Sequence, residues 1–249
     1  MTAPREPCAA GIVFAVAIEA DPFARLAARR LETRAAGMVI EEGTVAGARV
    51  AWCVGGVGTT AAARAARLLV AGHRPRVLVT AGFAGGLDPV LPRGTVVRPA
   101  VALADGEPDG LPLAAFPPRG TGGPPPATIV TVAGVVATPD GKRALAARTG
   151  AHLVDMETHA VARVAAEAGL PCAAVRVISD GATESLPHEV EALARPQSGL
   201  RRLGAALAAV GRRPAAARDL WRLYEHAVID AKTLAAELES LCAAIRGDA

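Results

Sequence analysis

Residues 153–185 read LVDMETHAVARVAAEAGLPCAAVRVISDGATES, and the order of residue types along this stretch decides the fold. A strand end, a helix, a tight Gly-Leu-Pro turn, a second strand and a polar loop succeed one another. The second strand, 173–178, is an apolar run interrupted only by Arg176. A strand apolar on both faces belongs in a sheet covered by helices on each side, the usual setting of parallel strands. In such sheets ligands collect beyond the carboxyl ends of the strands. Asp180 lies two residues past one such end. Glu157, with Asp155 just before it, sits at a strand-to-helix junction that opens on the same rim. Two carboxylates distant along the chain are therefore expected to share one site.

Upstream, 12–18 reads as a first strand, ending in Glu19, Asp21 and Pro22, and 23–31 has helical spacing. Segments 38–40, 43–46 and 49–54 read as further strands divided by glycine turns. Gly55-Gly56-Val57-Gly58-Thr59 follows, then an alanine-rich helix over 60–71. Strand, glycine turn and helix together present bare backbone amides to an anion or polar ligand. The same glycines equally suit a tight turn that needs positive φ. A buried strand over 76–81 ends in Gly82-Phe83-Ala84-Gly85-Gly86-Leu87-Asp88. From 104 to 128 glycine and proline dominate, which predicts a loop or lid without regular structure. A strand over 129–138 and a helix over 141–148 lead back to the opening stretch. Beyond Pro187 the sheet is complete, and 200–210 and 215–245 read as two helices.

The 249 residues suit one large α/β domain or two small ones. Half the residues are apolar but aromatics are scarce, so the core must be built from Ala, Val and Leu. A net charge of +3 gives no case for a nucleic-acid binder. Cys8, Cys53, Cys172 and Cys242 are scattered without metal spacing, as befits buried thiols in a reducing compartment. The five histidines show no ligand spacing, so no metal is expected. His159 reads as a helix-surface or capping residue, and Trp52 and Trp221 as packing residues. Segment 11–18 is too short, and too closely flanked by Glu6 and Glu19, for a signal peptide. Nothing approaches the roughly 18 apolar residues of a membrane span. The expected location is cytoplasmic. Arg195, Arg201, Arg202, Arg212, Arg213, Arg218 and Arg222 make the tail basic, a solvated or oligomer-packing face or else a peripheral membrane contact.

Three blocks carry a resemblance. VTAGFAGGLDP (79–89), preceded by CVGGVGTTAA (53–62), resembles the central strands of the purine nucleoside phosphorylase and methylthioadenosine/S-adenosylhomocysteine nucleosidase superfamily. LVDMETHAVARVAAEAGLP and VRVISDGA, within 153–182, resemble its signature segment. The implied fold is α/β, a single domain with a mixed twisted central β-sheet flanked by helices. It would span 1–194, with 195–249 a basic helical extension packed on it, usually in a homo-oligomer. The implied reaction is cleavage of a purine N-ribosidic bond. It needs electrostatic help both at the oxocarbenium-like sugar and at the departing base.

By the same resemblance, Asp180 protonates the purine at N7, Glu157 accepts the ribose hydroxyls and Met156 packs on the sugar. Arg176 holds the ionisation of the acidic site or places the attacking group. Gly56, Phe83, Ala84, Gly85 and Ser179 complete the substrate contacts. The slot of the water-orienting carboxylate falls on Asp21, with Glu19 two residues earlier. Where phosphorylases grip phosphate, this chain has Thr80 and Phe83, so water is the simpler acceptor. Phosphate stays possible as co-substrate through the Gly55–Thr59 turn and Thr59 or Thr60, and no other cofactor is implied. Including its tail, the chain is similar to the hopanoid-associated branch, which implies adenine release from adenosylhopane. Methylthioadenosine or S-adenosylhomocysteine is the alternative substrate, and a nucleoside-binding protein without turnover is the rival from another class.

Overall fold

The computed structural model describes residues 7–116, 126–186 and 214–247, and side chains within those ranges except at 214–223 and 247. A mixed β-sheet forms the centre. Its middle strands are β1 (Ala10–Phe14), β4 (Ala48–Val54), β5 (Val77–Gly86) and β11 (Cys172–Asp180), and they run parallel in the order β4-β1-β5-β11. A hairpin of β2 (Ala28–Ala35) and β3 (Met38–Val45) extends the β4 edge in antiparallel fashion. At its far end β5 also pairs, antiparallel, with β10 (Leu153–Asp155), which leads on to β9 (Thr128–Thr131), β7 (Val101–Ala104) and β8 (Leu111–Pro112). The short β6 (Val96–Val97) pairs with β11. The sheet therefore divides around β5, where Gly85 pairs with both β10 and β11.

Period-two alternation sends each strand's residues to two cores. From β1, β5 and β11, Val13, Leu78, Ala174 and Ile178 face α2 (Thr59–His73) and α4 (Thr158–Glu167), which contribute Ala62, Ala66, Leu69, Val161 and Ala165. Ile12, Phe14, Val79, Val175 and Val177 face the opposite way, towards α1 (Ala17–Leu26) and the long α5 (Pro214–Gly247). In α5, Leu234, Leu238, Leu241 and Ile245 recur at helical spacing on the buried face. Trp52 is fully buried, edge-on to Phe23 at 5.6 Å, and its Nε1 donates to Glu41. All four cysteines are free and buried. Leu238→Ala leaves a void under α5 and is expected to cost about 2–5 kcal/mol, read as a lower urea midpoint with an unchanged slope.

Several boundaries differ from the sequence expectation. The first strand stops at Phe14 and α1 begins at Ala17, so Ile18 and Glu19 are helical and Pro22 lies inside the helix. Residues 28–31, expected to end that helix, instead begin β2. The Gly/Pro-rich segment contains a two-residue strand, β8, paired with β7. The strand expected over 129–138 ends at Thr131, and 132–138 runs as irregular chain into α3 (Pro139–Thr149). The helix expected at 200–210 lies outside the described residues, whereas that over 215–245 corresponds to α5.

Candidate active site

The carboxyl ends of β1, β5, β10 and β11 enclose a cavity of about 200 Å³. Ala15, Val16 and Glu19 line it after β1, Phe83 to Gly85 on β5, Asp155 to Glu157 after β10, and Ser179 and Asp180 on β11. Val132, Val135, Val136 and Leu186 supply an apolar wall. Successive strand residues normally face opposite ways, but a register shift between Ile178 and Asp180 lets Ser179 and Asp180 both reach the cavity.

Four carboxyl residues line this cavity, Asp155 and three that reach it from different elements, Glu19, Glu157 and Asp180. Glu19 stands in the first turn of α1, where an acidic side chain can satisfy free helix-end amides. Its Oε2 accepts from the backbone N–H of Ala15 and Val16 at 3.0 and 3.1 Å. Its Oε1 accepts from Phe83 N–H at 2.9 Å. Burial raises its pKa, opposed by these amides and by the Arg176 guanidinium. Glu157 precedes α4, and its Oε1 accepts from Gly58 N–H at 2.7 Å. Burial first, then the neighbouring Asp155 charge, raise its pKa to about 7. Asp180 receives Ser179 Oγ on Oδ1 at 2.6 Å and Lys142 Nζ on Oδ2 at 2.5 Å.

Behind the cavity a buried network holds the floor. Arg176 donates to Asp155 Oδ2 at 2.7 Å and to the hydroxyls of Thr80 and Thr158, each at 2.7 Å. Asp155 Oδ1 accepts from Thr131 Oγ at 2.7 Å. Gly82 has no room for a side chain, since a Cβ there would stand 2.5 Å from Glu19 Oε1 and 3.1 Å from Arg176. Glu19, Gly82 and Arg176 are thus closely stacked. Among the described residues no three His, Cys, Asp or Glu side chains are grouped as metal ligands would be. No described helix is long and apolar enough to cross a membrane.

The model of the phosphorylase superfamily matches residues 9–127 and 124–211. The chain belongs to the phosphorylase superfamily. Among curated relatives, a 5′-methylthioadenosine/S-adenosylhomocysteine nucleosidase from Haemophilus influenzae is 39% identical over 87 residues, which cover 35% of this chain and 38% of that protein. The match therefore spans well under half of the relative's length. Among solved structures, a nucleosidase of the same name from S. pneumoniae, determined with a transition-state inhibitor, superposes with a TM-score of 0.72 at 18% identity. That superposition covers 94% of this chain and 98% of the other. The futalosine hydrolase of Helicobacter pylori gives 0.69 at 16% identity, over 93% and 96% of the two chains. At such identities the superpositions establish the nucleoside phosphorylase-like fold.

Against this superfamily framework, the structure brings Glu157, Met156, Phe83, Ala84, Gly85, Ser179 and Asp180 to one cavity. Three expected residues stand elsewhere. Asp21 is exposed on α1 and Glu19 occupies the cavity instead, because the helix starts earlier than the strand pattern suggested. Arg176 does not line the cavity: it is 2% exposed and committed to Asp155, Thr80 and Thr158. Gly56, at φ 101°, shapes the turn while its neighbour Val57 lines the cavity. His159, expected at the helix surface, is buried, with Nε2 3.7 Å from Glu107. The loop after Asp180 returns to the site through Leu186, while Glu184 and Ser185 are exposed.

Sequence reasoning misses the Val132–Val136 wall, whose composition is that of a strand, and Lys142, which is fully buried. A signal for Lys142 existed. Of the 27 basic side chains only Lys142 and Lys232 are lysine, in a composition that otherwise uses arginine throughout.

Proposed function

We propose that this chain hydrolyses the N-ribosidic bond of a 5′-substituted adenine nucleoside, of the methylthioadenosine or S-adenosylhomocysteine kind. The observation that carries the reading is the convergence of Glu19, Glu157 and Asp180 on one cavity with an apolar wall. Asp180 serves the leaving purine at N7, where charge develops as the bond breaks. Glu157 accepts hydrogen bonds from the ribose hydroxyls, and Met156 packs against the sugar. Glu19 orients and deprotonates the attacking water. Its carboxylate is held rigidly by three backbone amides, which suits a group that must aim at one point. Arg176 keeps Asp155 and the floor in place from behind.

Water is favoured over phosphate because the glycine amides of the 55–59 turn and the Arg176 guanidinium are already engaged. The N–H groups of Gly55, Gly56 and Gly58 go to Phe14, Ala15 and Glu157. The Arg176 guanidinium is buried beneath Glu19 and already donates to Asp155, Thr80 and Thr158. The relatives' names favour a small sulfur-bearing 5′ group. A lipid-bearing one, as in adenosylhopane, has in its favour the uncharged Val132–Val136 wall and the exposed Tyr224 and Ile229 of α5. Adenine release from methylthioadenosine, S-adenosylhomocysteine, adenosine and adenosylhopane tests the reading. Preferential turnover of the first two supports it, preference for the last moves the substrate to the lipid, and release from none overturns it.

The raised pKa of Glu157 has opposite consequences for stability and for binding. The folded chain holds this proton more tightly than the unfolded one, where the group titrates near 4.5. The associated stability is complete below about 4.5 and is lost as pH rises through about 7. Ribose hydroxyls donate to the ionised form, so nucleoside affinity should rise over the same window. Glu157→Gln is expected to abolish that rise while weakening binding, measured as KM between pH 5 and 9.

A further inference from the structure

Lys142 is 0% exposed on α3, a helix whose other buried side chain is Leu145. Burying an ammonium is costly unless every hydrogen finds a partner. Here all three do: Asp180 Oδ2 at 2.5 Å, Gly181 O at 2.6 Å and Glu184 O at 3.0 Å. All three acceptors belong to the segment that begins at the cavity and leaves it. An apolar side chain of similar volume would fill the same space without burying a charge. Packing therefore does not account for a lysine here, whereas a fixed carboxyl group at the rim does. Ser179 Oγ takes the other oxygen of Asp180 and also lies 3.3 Å from Ala84 O, so each Asp180 oxygen has one anchored partner.

We propose that Lys142 is a positioning residue for the leaving-group end of the reaction: it fixes the plane of the Asp180 carboxyl and the loop behind it, so that Asp180 meets the departing purine in one orientation. The inference rests on the proposed nucleosidase reading. Lys142 does not line the cavity and touches no substrate, so its effect passes through Asp180. Its loss should slow departure of a base that needs help to leave and spare a group that leaves unaided.

The test compares methylthioadenosine with p-nitrophenyl β-D-ribofuranoside, whose phenolate departs without a proton, in the full chain carrying Lys142→Met. Misplacing a catalytic group by about 1 Å costs about 10²-fold, so kcat for methylthioadenosine should fall by that order with KM nearly unchanged. The loss on the p-nitrophenyl riboside should be at least about tenfold smaller, because no leaving-group assistance is withdrawn. Adding Lys142→Met to Asp180→Asn should cost little further, since both changes remove one function. Equal losses on the two substrates, or losses that multiply in the double variant, overturn the inference. So does a chain that fails to fold with Met, Gln and Arg alike at 142, which would make the role one of stability. If wild-type protein releases adenine yet these signatures are absent, only Lys142 is misassigned. If wild-type protein releases no purine, the nucleosidase reading fails and the inference with it.

Discussion

Asp180→Asn should lower kcat for adenine nucleoside cleavage by about 10²-fold or more, the scale for losing a general acid or base, while KM changes little. Asn keeps the shape of the side chain and one acceptor for Lys142, but it cannot take up a proton and pass it to N7. The substitution also strands a charge. Lys142 is fully buried and the Asp180 carboxylate pairs with it at 2.5 Å. Removing one member of a buried pair costs about 3–5 kcal/mol. The variant should therefore melt lower as well, and kinetics belong well below its transition. Combining it with Lys142→Met should recover part of the lost stability without recovering activity. Lost activity with parental stability would mean that the ion pair is weaker than its geometry suggests. Parental activity would remove Asp180 from the chemistry.

Glu19→Gln should be comparably damaging to turnover, about 10²–10⁴-fold, and for a different reason. The carboxylate accepts from three backbone N–H groups. An amide brings two hydrogens into a place furnished only with donors, so one backbone donor goes unsatisfied at a cost of about 1–3 kcal/mol. The base that would take the water's proton is gone as well. Asp21→Asn, two residues along and exposed, should leave kcat/KM within about twofold, as surface changes usually do. The pair of variants separates the two carboxylates cleanly. A severe loss at 21 with a mild one at 19 would restore the assignment that the strand pattern suggested.

That misplacement shows where the chain's own pattern stops being informative. The apolar run of β11 and the Asp-Met-Glu triplet before α4 declare buried strand and strand-to-helix junction through composition alone, and both stand where expected. Around Glu19 the residues FAVAIE suit strand and helix equally. The switch at Val16 is made by tertiary contacts, namely the bonds from Glu19 to Ala15, Val16 and Phe83 across two elements. Periodicity carries no trace of them. Arg176 illustrates the same limit. An arginine inside a buried strand signals a partner, but only the fold shows that the partner is Asp155 rather than a ligand. Lys142 lies on a polar helix of ordinary appearance, and its burial follows from where residues 180–184 happen to pass. Segment 132–136 carries a strand's composition and yet forms a cavity wall, since β9 loses its partner after Thr131.

Cleavage by water at a cavity shared by Glu19, Glu157 and Asp180 is tested most directly by following methylthioadenosine in phosphate-free buffer and in saturating phosphate, with the sugar product identified by ³¹P NMR and reducing-sugar assay. Adenine should appear at the same rate in both, together with the free reducing sugar. Adenine that appears only with phosphate, accompanied by a sugar 1-phosphate, would contradict hydrolysis at this site.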